Sequence, residues 1–175
     1  MLDIYIDADA CPVKEEAYRV AHRYQLRVFV VSHHLIRVPE ETWITPVVVT
    51  TGFDAVDNWI EAEVKKKDIV ITNDILLAQR IILKEATAID PRGKILDEEN
   101  IGDAVATREL LSELRQSGDL KLGPKKMGKN HRSNFLSAFD TLINKIKHLW
   151  KGMPYLLLGN FYNFEIFTRE KVCRT

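Results

Sequence analysis

Aspartates occupy the positions where this chain could do chemistry: Asp7 and Asp9 follow the first apolar run, Asp54 and Asp57 follow VVVTTGF, and Asp74 follows DIVITN. Each group stands just beyond a short apolar segment of the kind that forms a strand. In a parallel sheet, ligands bind beyond the carboxyl ends of the strands, so acids distant in sequence would meet at one edge. Carboxylates gathered in one cleft repel one another unless a divalent cation neutralises them. Hard oxygen donors favour Mg²⁺ or Mn²⁺ over zinc, and such a cation can activate water and stabilise charge on a phosphoryl oxygen during hydrolysis. Asp7, Asp9, Asp54, Asp57 and Asp74 are therefore the candidate metal ligands.

Every one of these acids also has a purely structural explanation. Asp9 could cap a first helix, Asp54 with Asp57 resembles a capping box, and Asp74 is well placed to cap a third helix. Taken singly, capping accounts for each. Taken together they exceed what three helix starts require, and Asp7 is the hardest to explain as a cap. Asp3 and Asp68 fall at strand starts, on the opposite edge, and read as surface residues. Cys11, near a helix start, could be an activated thiol, but no histidine partner is evident and a small packed thiol is the simpler reading. His33 and His34 open a loop at the carboxyl edge, where one could touch substrate or simply be solvated. His22 lies on a charged helix and reads as exposed.

The elements that must position these groups alternate along the chain. Apolar runs at 2–6, 27–32, 46–51, 68–72 and 86–89 are too short for helices and read as strands, with 27–32 and 46–51 apolar enough to be buried on both faces. Between them, apolar residues recur at helical spacing over 12–24, from Gly52 to the Lys65–Lys67 run, and over 74–84; a longer helix follows over about 98–116. Residues 33–45 read as mostly loop. Strand–helix alternation of this kind implies right-handed crossovers and a three-layer α/β fold with a mainly parallel central sheet flanked by helices. Residues 118–133, GDLKLGPKKMGKNHRS, read as a polar Gly/Lys-rich loop. A C-terminal amphipathic helix follows it, with Phe135, Phe139, Leu142, Ile143 and Ile146 on one face. The domain is expected to span 1–149, including the basic loop and helix 118–149. Residues 150–175 form an aromatic tail to which no structure is assigned.

Composition narrows the class. A chain of 175 residues can bury a core without staples, and two cysteines at opposite ends, Cys11 and Cys173, suit a reducing compartment. No stretch approaches the roughly 20 unbroken apolar residues of a membrane span, and the N-terminus lacks the pattern of a secretory signal. A cytoplasmic location and no membrane partner follow. The net charge of zero averages unlike parts. Residues 1–120 hold 14 Lys+Arg against 22 Asp+Glu, whereas residues 121–149 hold 7 against Asp140 alone. A basic surface beside an acidic site is the pattern expected where a polyanion is steered to metal ions; a solvated basic helix is the plain alternative.

DADACPVK (7–14), GFDAVDNWI (52–60), DIVITNDILLA (68–78), the Gly123–Pro124 pair and HRSNF (131–135) together resemble the YaiI/YqxD family of bacterial proteins, over roughly residues 1–146. The resemblance implies a PIN-like fold, related to metal-dependent ribonucleases. It implies that Asp7 and Asp74 are catalytic and metal-binding, that Asp9, Asp54 and Asp57 add acidic ligands, and that Thr72 and Asn73 shape the loop presenting Asp74. His131 departs from it, standing where the family commonly has an acid, and so does the aromatic tail. The function expected is a Mg²⁺- or Mn²⁺-dependent phosphodiesterase acting on RNA, with Lys125, Lys126, Lys129 and Arg132 as phosphate contacts whose binding weakens with salt. Two rivals stay open. One is a phosphatase similar to the haloacid dehalogenase superfamily, using Asp7 and Asp9 two residues apart. The other is a non-catalytic nucleic-acid- or protein-binding module.

Overall fold

The computed structural model describes residues 2–9, 11–50, 52–117 and 127–151. In chain order these form β1 (Asp3–Asp7), α1 (Lys14–Tyr24), β2 (Arg27–Ser32), β3 (Ile44–Val48), α2 (Ala55–Glu63), β4 (Ile69–Ile71), α3 (Ile75–Ile82), β5 (Thr87–Ile89), β6 (Ile95–Leu96), α4 (Ile101–Gln116) and α5 (Lys129–Lys151). Lys125, Lys126, Cys173 and the tail from 152 onward lie outside the described residues. The chain divides into two compact units, 1–141 and 142–175, with the boundary inside α5.

The six strands form one sheet in the order β3-β2-β1-β4-β5-β6. All pairings are parallel except that of β5 with β6. β1 is thus interior, and the chain moves outward from it first to one side, through β2 and β3, then to the other. Right-handed crossovers accordingly put α1 on one face and α2 and α3 on the opposite face, which gives the three layers.

Strand alternation divides the core. Tyr5, Val31, Val70 and Ala88 pack with Val56, Ile60, Leu77 and Ile81 of α2 and α3, and Ile101 and Ala104 of α4 join them. Ile4, Ile6, Val28, Val30 and Ile71 point to the other face and are fully buried, as are Val13 and Ala17 beside the α1 stripe. Each such side chain contributes about 1.5–3 kcal/mol relative to exposure, more than a surface ion pair supplies. The apolar faces, not the surface charges, therefore set where each strand lies. Within the first unit, α5 buries Phe135 and Phe139, their rings stacked at 5.4 Å. Its polar face meets α1: Arg132 donates to both carboxylate oxygens of Glu16 at 2.8 and 3.0 Å, and Arg23 and Tyr24 donate to Asp140.

Several expectations require correction. The 46–51 run reads as a strand buried on both faces, but β3 is the edge strand, starts at Ile44 and exposes Thr45, Pro46 and Val48. Val49 N–H donates to Ser32 C=O, so alternation turns the Pro46 nitrogen to the open edge, where a missing donor costs nothing. Residues 129–133 are not loop, because α5 begins at Lys129; the His131 Nδ1 there accepts from the Gly128 N–H at 3.1 Å. β6 pairs antiparallel through a turn at Gly93, whose φ of +92° and approach to the Asn134 backbone, 2.9 Å from where a Cβ would stand, exclude any larger residue. Asp3 and Asp68 are buried, not surface residues. Asp3 holds Arg27 in a two-bond fork at 2.9 and 2.6 Å, joining neighbouring residues of β1 and β2.

No helix among the described residues is long and apolar enough to cross a membrane.

Candidate functional site

The carboxyl ends of β1 and β4 are adjacent, and that adjacency builds the site. Asp7 ends β1 nearly buried, 9% exposed. Its Oδ2 accepts from the Thr72 hydroxyl at 2.8 Å, and the same hydroxyl oxygen accepts the Asp74 N–H at 3.0 Å. Thr72 thus fixes Asp7 and Asp74 relative to each other through one atom. Asp74 caps α3, its Oδ1 accepting from Leu76 N–H at 2.7 Å, and the same oxygen takes Arg108 Nη1 from α4 at 3.0 Å. Its capping role and its place in the cleft are therefore compatible, since the cap occupies one oxygen.

Asp9 does not cap α1. That helix starts after Val13 with no side-chain cap, and Asp9 instead accepts the His33 N–H at 3.0 Å while His33 Nδ1 lies 3.4 Å away. The pair ties the segment after β1 to the end of β2. Asp54 and Asp57 form no capping box either. Asp54 is exposed, left-handed at φ 53° and makes no side-chain cap bond, whereas Asp57 turns inward from the first turn of α2.

Asp7, Asp9, Asp57 and Asp74 line one open cleft of about 630 Å³, with Asn73, Lys94, Thr107 and Arg108. Asp54 stands apart from that cleft. It lines an adjoining pocket of about 340 Å³ with His33, Gly52 and Phe53, and Asp7, Asp9 and Asp57 border both spaces. The sequence reading missed Lys94 and Arg108. Arg108 had a legible signal: Ile101, Ala104, Arg108 and Leu111 fall at i, i+3, i+7 and i+10, so a cation interrupts the apolar stripe of α4 and must find a polar partner. Of the proposed phosphate contacts, Arg132 is bound to Glu16 on α1, and Lys129 is the first residue of α5.

The electrostatics of the cleft are unfavourable as it stands. Burial raises the Asp7 carboxyl above the ordinary range against the opposing Thr72 hydrogen bond, and the charges of Asp9 and Asp74 push it further. Asp57 is pushed up to about 6 by burial first, then by Asp7, Asp74 and Asp54. Burial likewise lifts the Cys11 thiol to about 11, which removes it as a thiolate nucleophile near neutrality.

A carboxyl raised on folding gives stability that is present below its unfolded value near 4 and lost as pH rises through about 6. Asp57→Asn should therefore stabilise the protein at pH 7.5 by about 1–2 kcal/mol, after allowance for solvent screening, and leave it unchanged at pH 4. Urea unfolding of both proteins at the two pH values measures this; equal stability at pH 7.5 would show that neither burial nor the neighbouring acids oppose the charge of Asp57.

The donor set is all oxygen and suits a hard cation. Among the described residues no three carboxylate, imidazole or thiol groups stand close enough to hold a metal ion by themselves. Mg²⁺ is bound through one or two carboxylates while keeping several waters, so a loose acidic cleft meets its needs where a closed zinc cage would not.

A family model described as "Uncharacterized BCR, YaiI/YqxD family" matches residues 5–145. A UPF0178 protein of Gluconacetobacter diazotrophicus is 48% identical over 143 residues, 82% of this chain and 93% of that relative. One from Paramagnetospirillum magneticum is 46% identical over 149 residues, 85% of this chain and 99% of its own length. One from Rhodopseudomonas palustris is 48% identical over 143 residues, covering 82% and 90%. No solved structure matches the chain.

Proposed function

The chain belongs to the YaiI/YqxD family, and for it we propose Mg²⁺- or Mn²⁺-dependent hydrolysis of phosphodiester bonds in RNA, carried out in the cytoplasm. One observation carries the reading: four aspartates, from the segments that follow three separate strands, share a cleft in which burial and neighbouring acids already oppose the charge of Asp7 and Asp57. Hydrogen bonds from Thr72, Leu76, Arg108 and His33 occupy only part of what these carboxylates can accept, and a cation that neutralises them best explains why so many acids share one cleft.

Asp7 and Asp74, locked together through Thr72, are the residues to hold the cation, with Asp57 and Asp9 completing its surroundings through water; Asp54 is the outer acid. When bound, the cation supplies an activated water and neutralises charge on a phosphoryl oxygen. Arg108 and Lys94, on the wall of the same cleft, offer donors to the flanking phosphates. Lys125, Lys126, Lys129 and Arg132 add sequence-independent attraction that salt weakens. The free, buried Cys11 suits the reducing compartment this reading assumes.

The test is to strip the protein with chelator, offer it short single-stranded RNAs, and restore Mn²⁺ or Mg²⁺. Cleavage that appears only with the cation is the expected result. Metal binding by calorimetry with no cleavage of any RNA would refute the hydrolase while keeping the cation site.

A further inference from the structure

Phe53 is 91% exposed. A lone exposed apolar side chain is ordinary, but this one lines the pocket that adjoins the acidic cleft, together with His33, Asp9 and Asp57. Its backbone setting is also unusual. Gly52 before it has φ +106° and Asp54 after it, a residue with a Cβ, has φ +53°. Two left-handed positions in three residues display the ring outward while α2 starts immediately behind it; the Asp54 carbonyl accepts the Asn58 N–H at 2.8 Å. The neighbouring imidazole of His33 is 45% exposed and held by Asp9, so the pocket offers two flat rings on one side of the acids.

The cations lie along the other cleft. Lys94 and Arg108 line the space that contains Asp74 but not the pocket of Phe53, and Asp7, Asp9 and Asp57 border both. A nucleotide chain crossing the acids would meet donors for phosphate at one end. At the other it meets an aromatic face ringed by carboxylates, which repel phosphate and leave a neutral, flat group as the fitting occupant.

We propose that Phe53, flanked by His33, is a stacking platform for an unpaired nucleobase of a single-stranded RNA, setting the strand's position so that a phosphate falls over Asp7 and Asp74. This rests on the RNA-hydrolase reading and adds its substrate class: single strands, because only an unstacked base can present its face to a side chain. The selectivity is for the presence of a base, not its identity, since every base has a face to stack.

The experiment measures binding without turnover. Fluorescence anisotropy follows a short labelled 2′-O-methyl RNA strand in Mg²⁺, the same strand with abasic positions, and its duplex, each titrated with wild type, Phe53→Ala and Phe53→Trp. Wild type should bind the base-bearing strand about 5- to 100-fold more tightly than Phe53→Ala does. The abasic strand and the duplex should bind wild type as weakly as the base-bearing strand binds Phe53→Ala, and Phe53→Trp should restore affinity. Equal binding of abasic and base-bearing strands by wild type, or no effect of Phe53→Ala, would overturn the platform. So would sedimentation showing a dimer that Phe53→Ala dissolves, which would assign the ring to a second copy of this chain. Base-dependent binding without cleavage of natural RNA ends the hydrolase alone, whereas intact cleavage with binding indifferent to Phe53 ends the platform alone.

Discussion

Asp7→Asn is expected to abolish metal-dependent cleavage, lowering it by on the order of 10²–10³-fold or more, while leaving the protein at least as stable as wild type at pH 7.5. The two effects have opposite sign because the same environment causes both. Asp7 ends an interior strand, nearly buried, with Asp9 and Asp74 raising its carboxyl further. Folding therefore favours the neutral form, and the stability a raised carboxyl confers is present below its ordinary value near 4 and lost as pH rises above it. Asparagine is neutral at every pH, retains a carbonyl oxygen that can accept from Thr72, and fills the same volume, so the bond that aligns Thr72 with Asp74 survives. It contributes no charge to a cation. Cleavage, Mn²⁺ calorimetry and urea unfolding on one preparation read all three consequences. A variant that cleaves normally would remove Asp7 from the chemistry, and one that unfolds would make it a structural acid.

The alternation of short apolar runs with helical spacing was enough to read the layers, because buried parallel strands and one-faced helices leave separate periodicities. Three successive valines misled at β3, since apolarity does not distinguish a covered strand from an edge strand. Pro46, first in the run and the middle residue of β3, carried that information. β6 is two residues long and has no pattern to detect. At the site, strand ends indicated that Asp7, Asp9, Asp57 and Asp74 share a cleft, but not that Asp54 stands apart from it, nor how each acid is held: Asp9 and Asp54 resemble caps in sequence, yet Asp9 is bound to His33 and Asp54 makes no cap bond. Whether an acid reaches a backbone N–H depends on loop geometry that spacing does not encode. Asp3 and Asp68 are the sharpest case, because acids at strand starts read as solvated and both proved to organise the opposite edge of the sheet.

That edge supplies the largest expected effect on folding. Asp68 is 1% exposed. Its Oδ1 accepts the Asp3 N–H at 3.0 Å and its Oδ2 the Lys65 N–H at 2.9 Å, so one side chain ties the start of β1 to the start of β4 and to the turn that follows α2. Asp68→Ala removes this acceptor from both donors, from the Asp3 N–H in a buried place and from the Lys65 N–H in a partly buried one. At about 1–3 kcal/mol for each unsatisfied buried group, the loss should be about 2–5 kcal/mol by urea unfolding. Asp68→Asn keeps one acceptor oxygen and should fall between Ala and wild type. The deficit should also depend on pH. Burial pushes Asp68 up to about 6 even against its two backbone hydrogen bonds. Wild type accordingly carries a stabilising contribution below the ordinary value near 4 that disappears as pH rises through about 6, and the Ala variant has none to lose. The gap between them should be widest near pH 4 and narrower at pH 7.5, with Asp7 and Asp57 cancelling because both proteins contain them. A deficit under about 0.5 kcal/mol, the ordinary size for a surface change, would mean that Asp3 and Lys65 find other acceptors and that the acidic edge, unlike the cleft across the sheet, is replaceable.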